Sequence, residues 1–89
     1  KKADIKTAGL IANKLIKLKS ILKKKNNIKS KKINQLIQDT KRMLFQRFNI
    51  KIEYLECRNL INLDTKIHNK PFKVFIAYYL SNVRLIDNF

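Results

Sequence analysis

The stretch from Phe72 to Phe89, "FKVFIAYYLSNVRLIDNF", decides how this chain is read. Phe72 to Leu80 is apolar and β-prone on both faces, and its seven residues from Val74 to Leu80 are the longest unbroken apolar run in the sequence. Ser81 and Asn82 interrupt the pattern, and "VRLIDNF" resumes it. Two strands around a two-residue polar connection predict a β-hairpin. Ser-Asn is a weaker turn signal than Asn-Gly, so a one-residue slip in register stays open. Chain ends are usually polar and frayed. An apolar pattern carried to Phe89, broken only by Arg84, Asp87 and Asn88, predicts a terminus packed into something.

Upstream of the hairpin, Ile50, Ile52 and Tyr54 alternate with Lys51 and Glu53, the period of a half-buried strand running to about Cys57. The segment "RNLINLDTKIHNKP" that follows has the Asn, Asp and Pro of a loop. The N-terminal half has a different period. Ala8, Ile11, Leu15, Leu18 and Leu22 recur at spacings of three and four, which predicts a helix over residues 3–25 with Lys14, Lys17 and Lys24 on its other side. Gly9 costs roughly 1 kcal/mol there relative to Ala, and predicts close packing against a neighbour. Lys23, Lys24 and Lys25 suit the negative end of the helix dipole, and Asn26 and Asn27 supply a turn.

Ser30 reads as the N-cap of a second helix to about Phe48, with Ile33, Leu36, Ile37, Leu44 and Phe48 as its apolar stripe. Lys31 and Lys32 stand at the positive end of that helix's dipole, so packing must supply its stability. The short connection predicts an antiparallel pair. The expected fold is α+β, in the order α-α-β-β-β: two antiparallel helices packed on one face of a three-stranded antiparallel sheet. Residues 1–89 are expected to form a single domain, helical over 1–48 and sheet over 49–89. Strands two and three are apolar on both faces, and two helices cover only one. Something else should cover part of the other, so a piece of a larger protein is expected, which agrees with the absence of Met at position 1.

With 45% hydrophobic and 30% charged residues the composition is globular. No apolar stretch has transmembrane length, and the N-terminus lacks a signal-peptide pattern, which together read as cytoplasmic. Cys57 is the sole cysteine, without a partner for a disulfide or for a metal, and reads as a small buried hydrophobe. The net charge of +15 invites a nucleic-acid reading, but it is unevenly spread. Residues 1–48 hold 15 Lys or Arg against Asp4 and Asp39, a balance of +13; residues 49–89 hold 6 against 4, a balance of +2. Lys, Ile and Asn, whose codons are rich in A and T, occur 17, 13 and 10 times, whereas Arg occurs 4 times. Lysines accumulated under such a bias describe a solvated surface better than a phosphate reader, which favours the bidentate fork of Arg.

No complete active site is legible. His68 is the single histidine, in a polar loop with no nucleophile that sequence places beside it. Glu53 and Glu56 fall on opposite faces of a regular strand and make no acid–base pair. The single glycine sits in a helix, so no phosphate loop exists. Phe72, Phe75, Tyr78 and Tyr79 beside lysine-rich helices raise a stacking platform for single-stranded RNA, but no octamer with the Gly and Arg of an RNA-recognition motif accompanies them, and core packing accounts for them better.

Four short segments carry a family resemblance. Tyr54-Leu55-Glu56, Arg58-Asn59-Leu60 through Leu63, Val74 to Tyr79, and Arg84-Leu85-Ile86-Asp87-Asn88 resemble the C-terminal end of the pantothenate synthetases, the pantoate–β-alanine ligases. In those proteins the matching segments read Y-L/V-E, R-D/N-x-x-T/N-L, R-x-L-I/V-A and T-R-L-I-D-N. The helical "DIKTAGLIANKLIKLKSIL" is similar in pattern to the family's first lid helix. Two departures stand out: Ser81-Asn82-Val83 replaces a turn that commonly contains Gly, and the helices are richer in lysine.

The resemblance implies the C-terminal lid domain of a two-domain enzyme, possessing none of the active site and inactive alone. Such an enzyme joins pantoate to ATP as a pantoyl adenylate, releasing pyrophosphate, and β-alanine then displaces AMP. It also implies an N-terminal Rossmann-like catalytic domain as partner, a homodimer for the intact enzyme, and ATP with Mg as substrate and ion of the whole. The family's His-x-Gly-His and Lys-Met-Ser-Lys-Ser-like motifs do not occur here, so no catalytic, cofactor-binding or metal-ligating residue is carried onto this chain. Arg84 is expected to pair across strands with Glu53 or Glu56. Two rival readings remain: an autonomous basic nucleic-acid-binding module using the helical half, and a helical-hairpin protein whose apolar sheet face docks a partner.

Overall fold

Five elements follow one another in a computed structural model that describes residues 2–24, 30–67 and 70–89: α1 (Lys2–Lys24), α2 (Ser30–Phe48), β1 (Lys51–Asn59), β2 (Phe72–Leu80) and β3 (Val83–Asn88). The strands form one antiparallel sheet in the order β1-β2-β3. The stripe Ile11, Leu15, Leu18 and Leu22 is buried along α1, and Ile33, Ile37 and Leu44 along α2, as a period of 3.6 requires of helices covering a sheet. They share one core with Leu55, Cys57, Val74, Ile76 and Tyr78.

Helix directions follow from a few contacts. Near the start of α1, Asp4 accepts a hydrogen bond from the Ser81 hydroxyl at 3.0 Å, and farther along the Lys19 ammonium stands 5.7 Å from the Phe72 ring centre. Helix α1 therefore runs against β2. Ile33 and Ile37, early in α2, border a small cavity with Leu55 and Cys57, late in β1, so α2 runs against β1. Since β1 and β2 are antiparallel, so are the helices, as the sequence predicts.

Helix α2 stops at Asn49, whose φ of 52° is left-handed and whose N–H donates to the Phe45 carbonyl at 2.9 Å. That is an αL cap with Asn in the place usually held by Gly. At the hairpin tip Ser81 and Asn82 have φ of 50° and 65°. Left-handed geometry at both central residues matches the twist of the flanking strands, so a weak turn sequence still sets the register Leu80 opposite Val83. Phe89 exchanges two backbone hydrogen bonds with Val74, at 2.9 and 3.0 Å, so the terminus is a sheet strand.

Several expectations are corrected. Arg58 and Asn59 belong to β1 and not to the loop. Strand β1 is irregular at Glu53, with Ile52 opposite Tyr78 but Tyr54 opposite Ala77, so its alternation is reset. Gly9 lies on the outer side of α1, where an added Cβ meets nothing within 4 Å among the described residues, so it marks no close packing. Strand β3 joins the core only through Leu85, while its Val83 and Ile86 stay exposed. The turn predicted at Asn26 and Asn27 and the loop histidine His68 lie outside the described residues, as does the predicted cap by the Ser30 side chain. Among the described residues no helix is long and apolar enough to cross a membrane.

Candidate functional site

Strand alternation and register sort the aromatics into two sets. Phe72 and Tyr78 face the helices with Val74 and Ile76; Phe75 and Tyr79 face the other way, beside Tyr54 of β1. The four aromatics of β2 therefore form no common stacking platform. The open side carries Lys51 and Arg84 in register with Tyr79, Glu56 and Asn88 with Phe75, and Arg58 with Lys73. Ala77 is fully buried there, flanked in register by Tyr54 and Ile86.

Both arginines of this open side are paired with glutamates. Arg84 Nε and Nη2 both donate to Glu53 Oε2, at 2.9 and 2.6 Å, which realises the expected cross-strand pair and holds the guanidinium pKa above its ordinary value. Arg58 Nε donates to Glu56 Oε2 at 2.9 Å, and Lys73 Nζ to Asn88 Oδ1 at 3.1 Å. The irregularity at Glu53 thus brings both glutamates to one face, against the expectation of opposite faces. Each is engaged by its own arginine, so they still make no acid–base pair.

The organising polar residue of the sheet half is Asn59, fully buried at the end of β1. Its Nδ2 donates to the Asp64 and Lys66 carbonyls at 3.2 and 2.8 Å, and its Oδ1 accepts from the Ile61 and Asn62 N–H groups at 3.0 and 2.9 Å. Arg58 Nη1 adds a bond to the Leu63 carbonyl at 2.8 Å, with Leu63 itself left-handed at φ 61°. One side chain therefore satisfies four backbone groups of the loop. Asn followed by further turn formers was the available signal, since Asn bonds backbone groups shortly after itself.

Cys57 is buried as expected, and burial pushes its thiol up from about 9 to about 11, which keeps it protonated and unreactive near neutrality. Tyr78 is also raised, by burial first and then by the nearby Asp87 carboxylate. Among the described residues no three His, Cys, Asp or Glu side chains gather to hold a metal ion.

On the helical half, a groove of about 710 Å³ lies between the outer flank of α2 and the start of β1. Phe45, 59% exposed, stands on its wall beside Lys41 and Arg42, with Ile50 and Ile52 beneath and Lys51 on the strand side. The sequence stripe of α2 omits Phe45 because it points one position away from the buried face.

A family model described as pantoate-beta-alanine ligase matches residues 1–89, the whole chain. The chain belongs to the pantoate-beta-alanine ligase family. No curated protein matches it in a sequence comparison. Membership places the chain in a ligase of pantothenate biosynthesis, in agreement with the resemblance carried by its strand segments. Two of the segments that carry the ligase resemblance have structural work in this fold: Arg58-Asn59 builds the loop, and Arg84 ties β3 to β1 across β2.

Proposed function

We propose that this chain is the C-terminal lid domain of a pantoate–β-alanine ligase that works by adenylation. In this reading ATP and pantoate form pantoyl adenylate and pyrophosphate, and the amine of β-alanine then attacks the acyl carbon and expels AMP. The partner is an N-terminal Rossmann-like domain that holds the catalytic motifs, in a cytoplasmic enzyme that is a homodimer. The observation that carries the reading is the family match over residues 1–89, taken with the lack of either nucleotide-binding motif in the same residues.

The lid contributes shape and closure. An acyl adenylate is open to attack by water, and a domain closing over it excludes that competing nucleophile until β-alanine has reacted. A small rigid body suits this role: the helices brace one side of the sheet, and Asn59 ties down the loop that follows β1. In this reading the magnesium that accompanies ATP belongs to the whole enzyme and not to this chain.

The test is AMP formation from ATP that depends on pantoate and β-alanine, measured on these 89 residues and on a longer natural protein containing them. The expected result is an active longer protein and a silent 89-residue chain. A silent longer protein contradicts the reading.

A further inference from the structure

The sheet extends beyond the helices that cover it. Helix α2 lies over β1 and α1 over β2, and β3 joins the core only through Leu85. The backbone bonds between Val74 and Phe89 fix the side of β2 on which β3 lies. With the buried stripe as its underside, the right-handed winding of α1 turns Leu10 and Ile21 toward α2, and Ile5, Ala8, Ala12 and Ile16 toward β3. The helix-facing side of the last strand, given by its register with Leu80, Tyr78 and Val74, presents Val83, Leu85 and Phe89. Asp87 shares that side, its carboxylate accepting from the Asn88 N–H at 2.8 Å. Wall and floor make an apolar step, with Ile5 74%, Ile16 53% and Val83 57% exposed.

The wall is also short of charge. Lysine is spread along both helices, yet Ile5, Gly9, Ala12, Asn13 and Ile16, which follow one another along this flank, include none. Cations border it instead: Lys6 and Lys17 along the crest and Lys23 at the far end, none with an ionic partner among the described residues. An uncharged apolar centre inside a charged border is the anatomy of a protein interface.

We infer that the step between α1 and β3 seats a helix from the part of the ligase outside this chain, apolar along its contact line and acidic on its flanks. Such a helix continues the helical layer over β3, with its ridges interlocking across Ala8 and Ala12. Its acidic flanks meet the unpaired lysines of the border, which sets its register and excludes wrong partners. A second copy of this chain fits worse, because it brings a lysine-edged flank and a charge of +15 against the same charge. The site rests on the lid reading, in which the catalytic domain precedes α1 and its chain enters beside Ile5.

Thiol labelling tests the site. Ile16→Cys on the wall, Val83→Cys on the floor and Gln46→Cys on α2 are placed in the 89-residue chain and in a longer natural protein containing it, and maleimide labelling rates are followed. Cys57 is buried and does not compete. In the 89-residue chain the new thiols are expected to label at similar rates. In the longer protein the wall and floor thiols should label about tenfold slower or more, because reaction requires access to the thiolate, and Gln46→Cys should not change. Lys6→Glu and Lys17→Glu, added together, should restore most of the lost rate, since like charges across an interface oppose docking. Unfolding curves check that the variants are folded, and wall and floor give independent answers. Wall and floor thiols that label alike in both proteins overturn the inference, as does protection untouched by the two charge reversals. Labelling in the 89-residue chain that slows as its concentration rises identifies a second copy as the occupant and equally overturns it. Pantoate- and β-alanine-dependent AMP formation by the longer protein is measured separately. An active but unprotected enzyme overturns the docking alone; a silent but protected one overturns the lid reading and supports the docking.

Discussion

The two sides of β2 are built from one nine-residue apolar stretch and end in opposite states. On the helix side Val74, Ile76 and Tyr78 are sealed beneath α1 and α2, with no charged group in the cluster. On the open side Phe75 and Tyr79 are half-buried, and what surrounds them is Arg84 with Glu53, Arg58 with Glu56, and Lys73 with Asn88. The helix side is held by removal of apolar surface from water. The open side is held by its ladder and by exposed ion pairs, which contribute little. Stability should therefore be concentrated on one side of the sheet, leaving the other tolerant of change.

The sharpest way to break that contrast is Asn59→Asp. The substitution keeps the shape and the acceptor, but aims a buried carboxylate at the carbonyls of Asp64 and Lys66. A loss of about 4 kcal/mol is expected in urea unfolding at neutral pH, smaller in acid where the carboxyl is protonated and can donate. Next, Ile76→Ala on the helix side should cost about 3 kcal/mol, whereas Ile86→Ala on the open side, where the residue is 60% exposed, should cost less than about 0.5 kcal/mol. Equal losses would abolish the distinction.

Cys57 adds a pH signature to the helix side. Its folded pKa is raised, so the stability it contributes is fully present below about 9 and is lost as pH rises through about 11. The loss should reach about 2 to 3 kcal/mol. Tyr78 titrates in the same direction, so the quantity to read is the difference between the parent chain and Cys57→Ala, which should be flatter over that window. A smaller effect belongs to the hairpin: Asn82→Gly, at φ 65°, should gain about 0.5 kcal/mol or less from the relief of left-handed strain. Smallest of all, Arg84→Gln should barely move the unfolding midpoint, and its small effect should fade with added salt, because its pair with Glu53 is exposed.

What the sequence made legible was whatever depends on local period. The stripes of α1 and α2, the run of β2 and the two-residue connection at Ser81-Asn82 each repeat or break within a few residues, and the element order follows from them. Features that depend on a partner far along the chain were not legible. The irregularity at Glu53 exists only in the register of β1 against β2, and it reversed the expected facing of the two glutamates. Asn59 looked like a loop residue because Asn, Asp and Pro crowd the segment it opens, and the four side-chain bonds that bury it at the end of β1 depend on how residues 61 to 66 fold back. The groove beside Phe45 needs α2 and β1 side by side, and the helical pattern alone left that ring as an outlier. Gly9 misled for the opposite reason: a glycine in a helix implies a close neighbour, and none of the described residues supplies one.

The lid role makes a demand that goes beyond activity. If closure of this domain protects the adenylate from water, an otherwise intact ligase lacking these 89 residues should still consume ATP but lose the intermediate to hydrolysis. The measurement is the ratio of AMP to pantothenate formed by the intact and the shortened protein. The expected result is one to one for the intact enzyme and an excess of AMP for the shortened one. A shortened enzyme that keeps one to one at an unchanged rate would contradict the role.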